Sequence, residues 1–240
     1  MGSPSSGGRE DGRLTLPAYT RGRPGGKASP WHCAAADGGA TVLLVQVTSR
    51  SSAATARRTE IINATIEVVA EEGFARATFA RIRERAGLSS TRLISYHFAG
   101  KAELVAALVE HVVAGIGEHV GARVMAAETP GDRLRAYIEG VVGYADTHRA
   151  PMSALLRVVM SGAWADGRPA PSDVSHLERI LAEGQRTGAM RVFDTRVMAG
   201  AIQRAVEAVP FQLEAEPDLD CTAYAAELVE LFDRATRADP

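Results

Sequence analysis

AGLSSTRLISYHFAGKAEL, residues 86–104, sets a glycine, a knot of small hydroxyls and an arginine just ahead of Tyr-His-Phe and a lysine. With Thr91 at the origin of a helical wheel, Thr91, Ser95, Arg92 and Tyr96 span roughly 0–140°, and Leu93, His97 and Ile94 roughly 200–300°. One flank is small, hydroxylated and cationic; the other is mainly aliphatic and suited to packing. Upstream, Thr78 is a good N-cap for a short helix whose Phe79, Ile82 and Ala86 face inward. Gly87 breaks that helix, and Ser89 is the expected cap of the next, which runs to about Phe98. Two short helices about a tight glycine turn make a helix-turn-helix, whose second helix enters the DNA major groove with its N-terminal residues toward the bases.

The exposed flank has the chemistry for that task. Arg92 suits a bidentate contact to guanine, and the hydroxyls of Ser89, Ser90, Thr91 and Ser95 can donate or accept. Tyr96 and His97 offer neutral donors to phosphate oxygens, and Lys101 adds charge at a helix N-terminus. Composition alone fits any solvent-facing helix equally well. The ordered set of N-cap, IRERAG, hydroxyl-rich turn, YHF and lysine points to DNA.

Charge supports the same division. The 240 residues carry a net charge of −2, but from Arg50 to Lys101 nine bases stand against five acids, while 13 bases stand against 21 acids afterwards. A basic module followed by an acidic one fits a nucleic-acid reader joined to something else. Few aromatics and abundant Ala, Val, Leu and Arg favour helices over sheets. Cys33 and Cys221 are far apart with no metal-ligand spacing, and read as reduced thiols of a cytoplasmic protein. No uninterrupted apolar run reaches the ~20 residues of a membrane span, so no membrane partner is expected.

Residues 1–50, rich in Gly, Ser, Pro and Arg, read as a disordered extension. From Thr55 the pattern is helical. Ile62, Ile66, Val69 and Ala70 form one stripe closed by Gly73, and Leu104, Leu108, Val112 and Ile116 form another after Lys101. Further helices are expected over 131–147, 151–163, 172–187, 194–212 and 219–237, with breaks at Pro151, WADGRPAPSD (164–173), Gly188 and EAEPDLD (214–220). The fold class is all-α, with about nine helices. A helix-turn-helix domain over 51–102 is followed by a helical domain over 103–240.

The segment from about Arg57 to Ala107 resembles the DNA-binding domain of the tetracycline-repressor (TetR) family of transcriptional regulators. The resemblance is carried by EEGF (71–74), ATFARIRERAGLS (77–89), YHF (96–98) and GKAELVAAL (100–108). It implies a homodimer on a double-stranded DNA operator, with Thr78, Tyr96, His97 and Lys101 as backbone contacts and the later helices forming a small-molecule pocket and dimer interface. Two departures stand out. The turn is one residue longer than the family's common pattern, and Ser95 stands where a phosphate-binding tyrosine is common.

The resemblance also implies an effector of unknown identity, with Val112, Ile116, Tyr137, Tyr144, His148, Met152, Leu156, Met160, Trp164 and Phe193 as candidate lining residues. Met and Trp at helical spacing also fit plain core, and Arg157 reads as an exposed charge. The last two helices, with small residues at Ala199, Gly200, Ala201, Ala205 and Ala208, are expected to pair with a second copy. Ordinary packing within one chain is the alternative.

No catalytic constellation, cofactor motif or metal site is expected. His111 and His119 are eight residues apart, too far for the i, i+4 pairing of a helical zinc site, and no Gly-rich phosphate loop or nucleophile elbow occurs. The reading is a sequence-specific repressor released by a small molecule. The alternatives are a nonspecific DNA-binding protein or, more remotely, a helical enzyme.

Overall fold

The computed structural model describes residues 49–164 and 174–238. The expected extension before residue 49, Cys33 and most of the WADGRPAPSD loop lie outside the described residues. Within them the regular structure is helical: α1 (Ser49–Glu72), a one-turn 3-10 helix (Phe74–Arg76), α2 (Phe79–Arg85), α3 (Arg92–His97), α4 (Lys101–Ala126), α5 (Pro130–Thr147), α6 (Arg149–Met160), α7 (Ser175–Arg186), α8 (Thr195–Glu207), α9 (Val209–Ala215) and α10 (Cys221–Thr236). The all-α expectation holds, with an N-terminal helix-turn-helix followed by a larger helical part.

Several boundaries differ from expectation, each for a local reason. The first helix begins at Ser49 instead of Thr55, so Ser49 and Arg50 belong to it and not to the extension; Ala53, Ala54 and Ala56 are strong helix formers that carry it back. The single helix expected over 194–212 is two, α8 and α9, which makes ten α-helices among the described residues. Pro210, in the first turn of α9, has no N–H and clashes with the preceding turn, so α8 cannot run through it. α3 opens at Arg92, later than a Ser89 cap implies.

Two apolar clusters hold the helices together. The first joins Ile61, Val68 and Val69 of α1, Ile82 of α2, Ile94 and Phe98 around α3, and Leu104 and Leu108 of α4 to Met152 and Val158 of α6. The second joins Val120 of α4 and Tyr137 and Ile138 of α5 to α7, α8 and α10. α5 packs mainly on α4 and α10, and α1 on α6. Each large aliphatic or aromatic side chain sealed this way contributes about 1.5–3 kcal/mol of transfer free energy. α4 passes through both clusters and runs unbroken across the 102/103 boundary expected between domains.

By length and composition α4 is apolar enough to cross a membrane, a property that a search for uninterrupted apolar runs overlooks. Here its apolar face is covered by α1, α5 and α6, as befits the core helix of a folded bundle. The far end is closed by an antiparallel bridge between Met190 and Arg237, with the Arg191 amide donating to Thr236 O at 2.9 Å. Gly184 permits this: a Cβ there would lie 2.5 Å from Met190 Sδ.

Candidate nucleic-acid interface and effector cavity

The helix-turn-helix is built from local rules. Thr78 Oγ1 accepts from the Arg81 amide at 3.3 Å and opens α2. At the other end the Leu88 amide donates to Arg83 O at 3.0 Å and the Gly87 amide to Glu84 O at 3.2 Å. This is the Schellman closure, which needs a left-handed residue at Gly87, whose φ is +62°. Leu88, next in line, is buried and anchors the turn. Ser89 and Ser90 then lead the chain back out, and it is Ser90 Oγ, not Ser89, that accepts from the Arg92 amide, at 3.1 Å.

α3 is gripped from two sides. Ile94 is 0% and Phe98 1% exposed. Arg58 of α1 donates to His97 O at 3.1 Å and lies 4.2 Å over the Phe98 ring. Glu103 of α4 accepts from the Ala99 amide at 2.7 Å. With its base fixed in this way, α3 presents Thr91, Arg92, Ser95 and Tyr96 to solvent; Tyr96 is 81% exposed. Ser89, Ser90 and Thr78 are exposed as well, and His97 is half-buried with its ring against Tyr96. The flank assigned to packing is narrower than expected: Leu93 is 38% exposed, because a six-residue helix seats only the Ile94–Phe98 edge.

The basic count overstates the charge left for a partner. Arg81 is engaged by Glu72 at 2.6 Å and Glu84 at 2.9 Å, and Arg85 by Glu67 at 3.1 Å and by Glu71. These carboxylates hold both guanidiniums above their ordinary range, and hydrogen bonding to Arg85 holds Glu71 below its own. Arg76, Arg83 and Arg92 make no ion pair among the described residues. Lys101 is exposed, but its ammonium donates to Phe74 O at 3.2 Å and sits 4.3 Å over the Phe74 ring. It therefore staples the 3-10 turn, with two ammonium protons left over.

A second feature lies deeper. A cavity of about 400 Å³ opens between α4, α5, α6, α7, α8 and α9. Of the ten expected lining residues, Ile116, Tyr137, Met152, Leu156 and Met160 border it. The other five do not. Val112 is sealed in the first cluster, one position off the lining residue Val113. Tyr144 and His148 stack on each other at 4.0 Å beside His119. Trp164 packs against the first cluster and Phe193 against the second. Sequence reading missed Val113, Val141, Leu155, Val159, His176, Gln203, Arg204, Val206, Glu207, Pro210 and Phe211. One signal was available: Gln203 interrupts the otherwise apolar face of α8.

The polar end of this cavity is a chain of hydrogen bonds. Tyr137 Oη donates to Gln203 Oε1 at 2.5 Å, Gln203 Nε2 donates to Glu207 at 2.7 Å, and Arg204 pairs with Glu207 at 2.7 Å. The Tyr137 ring lies 4.9 Å from His176. Burial, then the nearby Glu207 carboxylate, pushes the Tyr137 hydroxyl well above the usual phenol range. Arg157 faces elsewhere, paired with Glu214 at 3.2 Å. No group of three or more His, Cys, Asp or Glu that could hold a metal occurs among the described residues.

The outer surface of α8 and α10 bears on assembly. Val197, Ala201 and Leu231 are exposed, and a Cβ at Gly200 would meet nothing within 4 Å. Ala199, Ile202, Val206, Val229 and Phe232 are used instead within the chain's own core. Only part of the apolar stripes expected to face a partner is therefore left outside.

Fold and site together define a helix-turn-helix protein whose core helix α4 joins the helix-turn-helix module to a cavity-bearing helical part. Residues 61–108 match the family model of bacterial regulatory proteins of the tetR family. A transcriptional regulator called BetI 1 from Chromohalobacter salexigens is 31% identical over 125 residues, which cover 52% of this chain and 58% of that protein. The chain thus spans little more than half of the curated relatives it matches. Among solved structures, one described in work on control of antibiotic production by bacterial hormones aligns at TM-score 0.65 and 25% identity, covering 75% of this chain and 97% of that one. AibR, solved with isovaleryl coenzyme A and operator DNA, aligns at TM-score 0.62 and 16% identity over 73% of this chain and 97% of its own. Over residues 61–108 the chain is thus similar to the tetR family of bacterial regulatory proteins, and over most of its described length its fold is similar to the solved structures above.

Proposed function

We propose that this chain is a cytoplasmic, homodimeric transcriptional repressor that reads a double-stranded operator and leaves it when a small molecule fills the cavity; it has no catalytic role. One observation carries the reading: the helix that begins behind the recognition helix also walls the cavity. Lys101 and Glu103 brace the turn and the end of α3, and Val113 and Ile116, on the same α4, line the cavity. Lys101 and Ile116 are about 22 Å apart along a helix rising 1.5 Å per residue. A ligand that wedges α4 away from α8 would swing its N-terminal end and with it α3.

The exposed contacts divide by task. Arg92, with Thr91 and Ser95, faces base edges, while Thr78, Ser89, Ser90, Tyr96, His97 and Lys101 meet phosphates. Exposed Val197, Ala201 and Leu231 on α8 and α10 support pairing with a second copy, which sets two recognition helices on half-sites one turn apart, about 34–36 Å. For release to be near complete, the ligand must favour the DNA-incompetent form by roughly 5.5 kcal/mol. AibR, solved with both an acyl-CoA and operator DNA, supports the pairing of these two activities in one such fold.

Selection of bound duplexes from a random pool tests the reading. A two-fold symmetric site, with a sedimentation mass of two chains, is the expected result. No sequence preference would leave a nonspecific DNA-binding protein instead.

A further inference from the structure

The walls of the cavity are apolar except at one end, where Tyr137, Gln203, Arg204, Glu207 and His176 line it. Tyr137 is 3% and Gln203 9% exposed, and the two are bonded to each other at 2.5 Å. The formal charges nearby are closed on themselves: Glu207 takes an N–H of Gln203 on one oxygen and the Arg204 guanidinium on the other, each at 2.7 Å. What Tyr137 and Gln203 leave for a ligand is neutral. Gln203 has a second carboxamide N–H to donate, and Tyr137 Oη and Gln203 Oε1 each keep a lone pair. The raised phenol keeps Tyr137 protonated throughout the physiological range.

We propose that the ligand is an uncharged, mainly apolar small molecule with one carbonyl or hydroxyl group, seated against Gln203 and Tyr137; the proposal rests on the effector reading above. A carbonyl accepts the second Gln203 N–H, and a hydroxyl donates to Gln203 Oε1 or accepts from its amide. A carboxylate at that end finds Arg204 already paired with Glu207, and an ammonium finds Glu207 already bonded to Gln203 and Arg204. Each ion would be taken from water into an apolar space whose counter-charge is already engaged, which is strongly disfavoured. The space of about 400 Å³ holds roughly a dozen water-sized groups at ~30 Å³ each, which suits a chain of about ten carbons with its polar group at one end.

Four ten-carbon probes test this with the full chain by titration calorimetry, without DNA: decan-2-one, decan-1-ol, decanoate and decylammonium. The ketone and the alcohol are expected to bind at least about tenfold tighter than either ion. The double variant Tyr137→Phe/Gln203→Leu replaces both partners of the buried bond; Glu207 loses the Gln203 N–H but keeps Arg204 and access to solvent, so Tm should change little. It should bind the ketone about three- to tenfold more weakly, as loss of one hydrogen bond implies. Gln203→Met, with the same expected loss, serves if the double variant does not fold.

An ion binding as tightly as the ketone overturns the proposal. So does no binding by any probe, or undiminished ketone binding by the variants. Release of a selected duplex is measured separately. A neutral probe that binds without releasing DNA leaves this ligand class standing and sinks the effector reading instead.

Discussion

The helix-turn-helix and the cavity-bearing part solve opposite problems with the same residue types. Around α3 the apolar groups Ile94 and Phe98 are an anchor, and the working polar groups Thr91, Arg92 and Ser95 face out. Around the cavity the helices turn polar groups Tyr137 and Gln203 inward among apolar walls. Arginine shows the contrast best. In the first region Arg81 and Arg85 are spent on carboxylates, and Arg92 stands clear of any ion pair among the described residues. In the second, Arg204 is held by Glu207 at the cavity's edge. A charge is useful to DNA only where the fold leaves it uncommitted; a local excess of bases does not measure that.

The contrast can be broken by removing the anchor. Phe98→Ala should cost about 3–5 kcal/mol of unfolding free energy in urea, the usual penalty for a large buried aromatic, and abolish operator binding. If binding survives at temperatures where the variant is folded, α3 does not depend on its apolar edge.

Arg92→Ala sharpens it. Operator affinity should fall by about 1–3 kcal/mol with preference relaxed at one position, and urea stability should not move. Equal losses on operator and scrambled duplexes would take Arg92 out of base reading. Lys101→Ala asks whether the stapling lysine also meets phosphate. A phosphate contact predicts weaker binding to all duplexes and a salt slope shallower by about 0.9. A lysine that only braces Phe74 predicts lower stability and an unchanged slope.

The smallest effect belongs to His119, whose ring is half-buried with Nε2 sealed and without a hydrogen-bond partner in the described residues. Burial first, then the positive Arg123 and His148, lower its pKa below the ordinary imidazole value. The unfolded chain therefore takes up this proton before the folded one does. Stability should be full above about pH 6.5, the unperturbed value, and decline as pH falls below it. His119→Phe should flatten that limb in thermal melts between pH 5 and 8, at most by a small fraction of the total stability.

The two regions also differ in how much could be read in advance. The helix-turn-helix was legible because each of its parts acts over a few residues: the Thr78 cap, the Gly87 closure and the Ile94–Phe98 edge all lie within one turn of what they control. Its errors were equally local, as with the α3 N-cap falling at Thr91 instead of Ser89 and the outward Leu93. The cavity was half legible. Periodicity puts Val112 and Val113 on neighbouring faces without saying which neighbour arrives, and the first apolar cluster takes Val112 while the cavity takes Val113.

By itself, then, the sequence determined an all-α chain with a helix-turn-helix, because caps, glycine closures and 3.6-residue periodicity operate between near neighbours. Tertiary structure alone decided which charges are free and what the cavity offers. Tyr137 and Gln203 are 66 residues apart, and Arg85 meets Glu71 from a different helix. Contacts between groups so distant along the chain follow from how whole helices pack, which no local pattern records.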